Sequence, residues 1–359
     1  MIHVVIGTKA QLVKMCPVLR EMEAQGVPYN FIFTGQHQKT VDDIRDNFSI
    51  KGPDVVLYKG KDVDSIASML VWGLKIIGRT ISGKEAVFKK DRKGIVLVHG
   101  DTFSCLLGAV LGKLKGLKVG HVESGLRSFN LFHPFPEELT RILTFYLADV
   151  YFCPGQWAID NLGRFNGEKI NTYQNTLLDA LHLAIANVDE IEVDVPEEKY
   201  CVVTVHRFEN IFRRAIFAQI LDQVEEIAKH KRVLFILHPP TEKRLKEFCL
   251  FDRLDRNKNI ELRPRYDYYK FIKLVYKSEF LVTDGGSNQE ESYYMGKPCL
   301  LIRKATERNE GLGKNVVLSE YNGDIIADFV ANYEKYVRKN EAFNCSPSKI
   351  VTTVISKYA

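Results

Sequence analysis

The chain has 359 residues, 45% of them hydrophobic and 26% charged, which fits a soluble globular protein of two ordinary domains with a substantial core. Fifty Lys and Arg against 45 Asp and Glu leave a net charge of +5, a mild excess that suits anionic small molecules, and no long basic run speaks for nucleic acid. The seven cysteines are scattered, odd in number and without a CxxC pair, so neither a zinc site nor a disulfide framework is expected and a reducing, cytoplasmic setting is the simplest reading.

The chain opens directly into a strand, Ile2 to Ile6, with no signal-like segment, and it holds no apolar span of membrane length. A helix follows Gly7-Thr8-Lys9, and a second strand, Asn30 to Phe33, ends at Thr34-Gly35-Gln36-His37. The central stretch is Ile95 to Arg141. Its short branched run, Ile95 to Val98, suits a strand buried on both faces of a parallel sheet. The run stops at Gly100-Asp101-Thr102, a helix spans Ser104 to Lys115, and a second strand, Lys118 to Val122, stops at Glu123-Ser124-Gly125. A right-handed β-α-β crossover puts both strand ends on one edge of the sheet, where ligands of open α/β sheets bind. Both ends carry a carboxylate, Asp101 and Glu123. A third acidic site, Glu137-Glu138, follows Pro136 and opens the next helix, where proline and acids suit the first turn. A lone Asp after a strand reads as a cap. Asp101 and Glu123 together, with Arg127 and Arg141 nearby, read as an acid–base site whose members divide their roles if their environments differ.

The hinge is expected between Asn166 and about Tyr200, giving an N-terminal domain over 1–168 and a C-terminal one over 169–344. The second domain repeats the strand–helix alternation, with strands from Cys201, Val233, Ile260, Phe280, Cys299 and Val316. Three loops follow these strands. Thr204-Val205-His206-Arg207 places His206 at a strand end, where it reads equally as a site residue or a packed histidine. His238 in Leu237-His238-Pro239 reads also as a structural residue. In Asp284-Gly285-Gly286-Ser287-Asn288, two glycines let the backbone approach a ligand, and the helix that follows offers N–H groups to an anion. Glu290 and Glu291, in its first turn, are placed to accept hydrogen bonds from ribose hydroxyls. Neither GxGxxG nor GxxxxGK[ST] occurs, which argues against a dinucleotide redox fold and a P-loop NTPase. The fold class is therefore α/β, two Rossmann-like doubly wound domains facing across a ligand cleft.

Taken in order, the motifs Gly7-Thr8-Lys9…Lys14-Met15…Pro17, Thr34-Gly35-Gln36-His37, His99-Gly100-Asp101-Thr102, His121-Val122-Glu123-Ser124-Gly125-Leu126-Arg127, Pro136-Glu137-Glu138…Arg141, Asn175-Thr176…Asp179, Thr204-Val205-His206-Arg207…Glu209-Asn210, Gly286…Gln289-Glu290-Glu291, Gly296-Lys297-Pro298 and Thr306-Glu307-Arg308 form a specific set. The sequence resembles the non-hydrolysing UDP-N-acetylglucosamine 2-epimerases. The chain departs from that pattern at Lys9-Ala10-Gln11, where the family usually has Arg-Pro-Glu, and at Gly285-Gly286-Ser287, where it has Ser-Gly-Gly.

The resemblance implies a glycosyltransferase-B fold whose last helix, about 345–359, returns to the first domain. It implies a homodimer, a UDP-sugar substrate, no cofactor, no metal, and a role in making surface polysaccharide. It casts Asp101, Glu123 and Glu137 as catalytic acids and bases, with His206 against the diphosphate. Lys9, Lys14, Arg127, Arg141, Arg207, His238, Gly286, Ser287, Asn288, Glu290 and Arg308 become substrate or UDP contacts, with Arg141 facing the departing phosphate. Gln36 and His37 become residues of a regulatory site for a second UDP-sugar. A hydrolysing epimerase, a glycosyltransferase of the same fold and a non-catalytic UDP-sugar-binding protein are the alternatives.

Overall fold

Three inner strands of the first sheet, β1 (Ile2–Ile6), β2 (Tyr29–Phe33) and β4 (Ile95–His99), are buried at every residue, as their apolar runs require. The structure, a computed structural model, describes residues 1–36, 41–60, 63, 66–82, 87–131, 135–306, 308–339 and 344–359. In chain order, α1 (Lys9–Ala24) lies between β1 and β2. Next come α2 (Val41–Phe48), β3 (Val55–Val56), α3 (Ile66–Ile81), β4 (Ile95–His99), α4 (Phe103–Leu114) and β5 (Lys118–Val122). They are followed by α5 (Glu137–Leu147), β6 (Val150–Cys153), α6 (Gln156–Asp160), β7 (Glu168–Asn171) and α7 (Leu177–Ala186). The seven-stranded sheet has the order β3-β2-β1-β4-β5-β6-β7. Every pair in it is parallel.

The chain then forms β8 (Tyr200–Thr204), α8 (Phe208–Ile211), α9 (Arg214–Ala228), β9 (Arg232–Leu237), α10 (Pro239–Glu247), α11 (Phe251–Asp255) and β10 (Ile260–Pro264). After these come α12 (Tyr268–Lys277), β11 (Leu281–Thr283), α13 (Gly286–Met295), β12 (Cys299–Leu301), β13 (Val316–Leu318), α14 (Gly323–Asn332) and finally α15 (Pro347–Ile355). The second, six-stranded sheet runs β10-β9-β8-β11-β12-β13. The strand order reverses between β1 and β4 and again between β8 and β11, the switch points at which doubly wound sheets open a crevice.

The chain divides into two compact units, Met1–Ala180 with Asn344–Ala359, and Leu181–Phe343. The expected boundary at 168/169 would cut β7 from its sheet, because Glu168 and Asn171 pair with Val150 and Cys153 of β6. In unit 1, α15 packs on α1, and Asp179 accepts hydrogen bonds from the Ser348 N–H at 2.7 Å and the Ser346 hydroxyl at 3.2 Å. The helix α4 sits close on the sheet: a Cβ at Gly108 would come within 2.8 Å of Val98 and 2.9 Å of Val5. That approach carries the loop before α4 over the β4 end.

Candidate active site

In unit 1 the register sets His99 of β4 beside Val122 of β5, so Asp101 and Glu123 leave neighbouring strand ends. Glu123 has φ of +62°, a left-handed conformation that costs a non-glycine residue about 1–2 kcal/mol. Its neighbours hold it there. Ser124 N–H donates to the Phe152 carbonyl at 2.9 Å, and Gly125, at φ +89°, packs so closely that a Cβ would lie 2.1 Å from the Ala158 carbonyl oxygen. Glu123 Oε2 receives the Lys14 ammonium at 2.6 Å and lies 3.1 Å from His99 Nε2. The Lys14 and Glu123 side chains are each 6% exposed.

The imidazole of His121 joins the two strand ends. Burial pushes its pKa down to about 4, so the ring is neutral at physiological pH. A neutral ring has one donor and one acceptor. Nε2–H donates to the Gly100 carbonyl at 2.7 Å, and Nδ1 accepts from the Ser124 hydroxyl at 3.0 Å. Burial also lowers the pKa of His99.

Asp101, 31% exposed at its side chain, begins a chain of alternating charges. Arg141 Nη2 reaches Asp101 at 2.5 Å, Arg141 Nη1 lies 3.2 Å from the fully buried Glu138, and Arg127 Nε lies 2.5 Å from Glu138. Burial works to raise the Glu138 pKa. The Ser128 N–H and the Arg127 and Arg141 guanidiniums outweigh it, and the carboxyl stays below its ordinary range. Arg141 and Arg127 are thus engaged by carboxylates of their own unit. Glu137, first residue of α5, is half-buried, and the Thr140 hydroxyl reaches both its carbonyl and that of Asp101. The acidic pair therefore splits: Glu138 anchors two arginines, while Glu137 stands at the helix start beside the Asp101 loop.

The first loop is tied from within. Gln11 Oε1 accepts from the N–H groups of Gly7 at 2.9 Å and Thr8 at 3.1 Å, and Gln11 Nε2 donates to the His99 carbonyl at 2.7 Å. Lys9 opens α1, half-buried. Gln36 is buried, its Oε1 accepting from the Ser104 N–H at 3.2 Å and the Ser104 hydroxyl at 2.6 Å. His37 lies outside the described residues.

In unit 2 the site residues gather around Asp284, which is fully buried after β11. Asp284 accepts from the His206 N–H at 3.0 Å, the Arg207 N–H at 2.9 Å and Asn210 Nδ2 at 2.9 Å. These bonds curl the loop after β8 and set the His206 ring on that of His238, centroids 4.4 Å apart and planes 20° from parallel. Arg207 Nε lies 3.3 Å from Glu209. Among the described residues no side chain caps the start of α13, where Gly286, Ser287 and Asn288 are partly exposed. Backbone N–H groups at such a start are suited to an anion. Glu290 is fully buried, paired with Arg308 Nη1 at 2.7 Å and accepting from the Tyr294 hydroxyl at 3.0 Å. Glu291 meets Asn288 Nδ2 at 3.0 Å.

Asp284, His99 and Gln11 carry site geometry that the sequence reading left without a role. The signal for Asp284 was its place at a strand end just before the glycine pair. Among the described residues, no group of three or more His, Cys, Asp or Glu side chains is placed to hold a metal, and no helix is long and apolar enough to cross a membrane.

Two doubly wound parallel-sheet units with polar loops at their switch points make this a glycosyltransferase-B type fold. A family model described as UDP-N-acetylglucosamine 2-epimerase matches residues 20–346. The UDP-N-acetylglucosamine 2-epimerase of Methanococcus maripaludis is 32% identical over 357 residues, covering 96% of this chain and 93% of its own. The crystal structure of the Neisseria meningitidis UDP-GlcNAc 2-epimerase bound to UDP-GlcNAc has a TM-score of 0.82 at 27% identity, covering 99% of both chains. The same values hold for the Methanocaldococcus jannaschii enzyme in complex with UDP-GlcNAc and UDP, a TM-score of 0.82, 27% identity and 99% of both chains. The chain belongs to the UDP-N-acetylglucosamine 2-epimerase family.

Proposed function

We propose that the chain catalyses reversible inversion at C2 of UDP-N-acetylglucosamine, or of a closely related UDP-2-acetamido sugar, by eliminating UDP and adding it back, without hydrolysis. One observation carries this reading: acids in unlike settings leave neighbouring strand ends of unit 1, Glu123 buried against an ammonium and Asp101 partly exposed on a guanidinium. Unlike settings let one group act as base while another acts as acid. A carboxylate of the set Asp101, Glu123 and Glu137 takes the C2 proton. The C–H electron pair forms the C1–C2 double bond of a 2-acetamidoglucal, and the C1–O electron pair leaves with UDP. Return of UDP to C1 with protonation of C2 on the opposite face gives the manno isomer. His206, Arg207 and the α13 start are the proposed diphosphate contacts, with His238 stacked behind His206. The bound UDP-GlcNAc of the Neisseria structure and the UDP-GlcNAc and UDP of the Methanocaldococcus structure support a UDP-sugar substrate.

Nuclear magnetic resonance of the products tests the proposal. UDP-linked manno isomer at equilibrium with substrate is the expected outcome. Free N-acetylmannosamine with stoichiometric UDP would replace it with the hydrolysing reading.

The product is proposed to supply surface polysaccharide synthesis in the cytoplasm. The active form is proposed to be a homodimer, supported by the apolar face that α3 leaves exposed at Leu70, Val71, Leu74 and Ile81. Leu74→Glu is expected to yield monomers in sedimentation; a wild-type monomer at micromolar concentration overturns the dimer. Activation by a second UDP-sugar is proposed to be weak, because Gln36 is bound to Ser104 beneath the surface. Hyperbolic kinetics are expected, and sigmoidal kinetics abolished by Gln36→Ala would contradict this.

A further inference from the structure

The Lys14 ammonium was expected to meet substrate. In the structure it is buried within the stretch of α1 from Gln11 to Leu19, all of it buried, 2.6 Å from Glu123 Oε2. A substrate phosphate would have to compete with that carboxylate for a side chain that solvent barely reaches. His99 is equally enclosed. Its Nε2 is 3.1 Å from the same oxygen. Gln11 Nε2 donates to the His99 carbonyl at 2.7 Å.

We infer that Lys14 is a positioning residue acting through Glu123: the ammonium keeps it a carboxylate ready for the C2 proton. The inference rests on the epimerase reading above. Its physical basis is separate. An opposite charge at this distance favours the ionised form of an acid. The proton moves from C2 to Glu123, a second acid of the set protonates C2 on the opposite face, and Glu123 gives its proton to solvent before the next turnover, so the pair carries the charge of Lys14 alone in between. Among the described residues, titratable groups near Glu123 include Lys14 from α1, His99 and Asp101 from the end of β4, Cys105 from α4 and His121 from its own strand.

The experiment pairs Lys14→Met with Lys14→Arg. UDP affinity by calorimetry is expected to stay within about twofold in both. Turnover is expected to fall about 100-fold in Lys14→Met, the lower end of what a positioned acid–base group contributes, and to recover in part in Lys14→Arg. The acid limb of kcat/KM in Lys14→Met is expected to move up by about one pH unit or more, the effect of an opposite charge on an acid. A tenfold or greater loss of UDP affinity in Lys14→Met, with the acid limb unmoved, would make Lys14 a substrate contact and overturn the inference.

A readout on the ligand-free wild-type protein separates this from the reaction itself. Carboxyl resonances of 13C-glutamate, with Glu123 assigned through Glu123→Gln, are expected to show Glu123 ionised below the ordinary glutamate range. Titration in the ordinary range overturns the inference without needing any Lys14 variant to fold. Absence of C2-inverted product from wild type would overturn the epimerase reading, and the ligand-free titration would still decide the pairing.

Discussion

The two units share the order of six strands, to which unit 1 adds β7 at its edge, and they gather different groups at the switch point. At its switch point unit 1 gathers side-chain charge: Glu123 on Lys14, and Asp101, Arg141, Glu138 and Arg127 in a row. Unit 2 gathers backbone amides. One buried carboxylate, Asp284, collects the N–H groups of His206 and Arg207, and α13 presents its uncapped start nearby. Charged side chains with fixed partners suit proton transfer, whereas amides and a helix start suit a diphosphate. The comparison teaches that the sheet decides where a site lies and the loops decide its chemistry.

The sharpest way to break the comparison is to neutralise each side in turn. Asp101→Asn, Glu123→Gln and Glu137→Gln are each expected to lower turnover by about 10²–10⁴-fold while leaving UDP affinity near normal. Near-normal turnover in any two would remove the acid–base role from unit 1. The complementary change is Asp284→Ala. It strips the acceptor from two backbone amides and Asn210, and each buried group left unbonded costs about 1–3 kcal/mol. The loop at 206–210 is expected to lose hydrogen-exchange protection and UDP affinity together. A variant with weakened affinity but an unchanged loop would mean that Asp284 acts on ligand directly.

A smaller effect sharpens the contrast through pH. His3, His99 and His121, all of unit 1, are held neutral by burial. The His121 pKa is about 4 in the fold against 6.5 ordinarily. As pH falls from 6.5 to 4, the unfolded chain takes up a proton that the native ring refuses, so stability falls and then levels off. At 1.36 kcal/mol per pKa unit, His121 alone accounts for a loss of about 3 kcal/mol. Both tryptophans, Trp72 and Trp157, lie in unit 1, so their fluorescence follows its denaturation. Flat stability across that window would mean that His121 titrates normally.

Much of this was legible in the sequence because buried parallel strands are short apolar runs that stop at glycine and polar residues. That pattern alone places Asp101 and Glu123 at neighbouring strand ends. It missed β7, whose Glu168-Lys169-Ile170-Asn171 reads as connector: an edge strand needs only one paired side and little apolar character. Pairings between distant residues were also hidden. Lys14 and Glu123 are 109 residues apart, and Asn210 and Asp284 are 74 apart. The position of each was readable, but its partner depended on the fold. In the structure Lys14 is engaged by Glu123, Arg141 by Asp101 and Glu138, and Glu290 by Arg308 and Tyr294.

The proton chemistry assigned to unit 1 is tested most directly by running the reaction in deuterated water. Inversion through two distinct acids breaks the C2–H bond and returns a proton from a group that exchanges with solvent. Product isolated early in the reaction is expected to carry deuterium at C2, read by proton nuclear magnetic resonance. Inverted product that keeps its original C2 hydrogen would contradict elimination and re-addition between the carboxylates of unit 1.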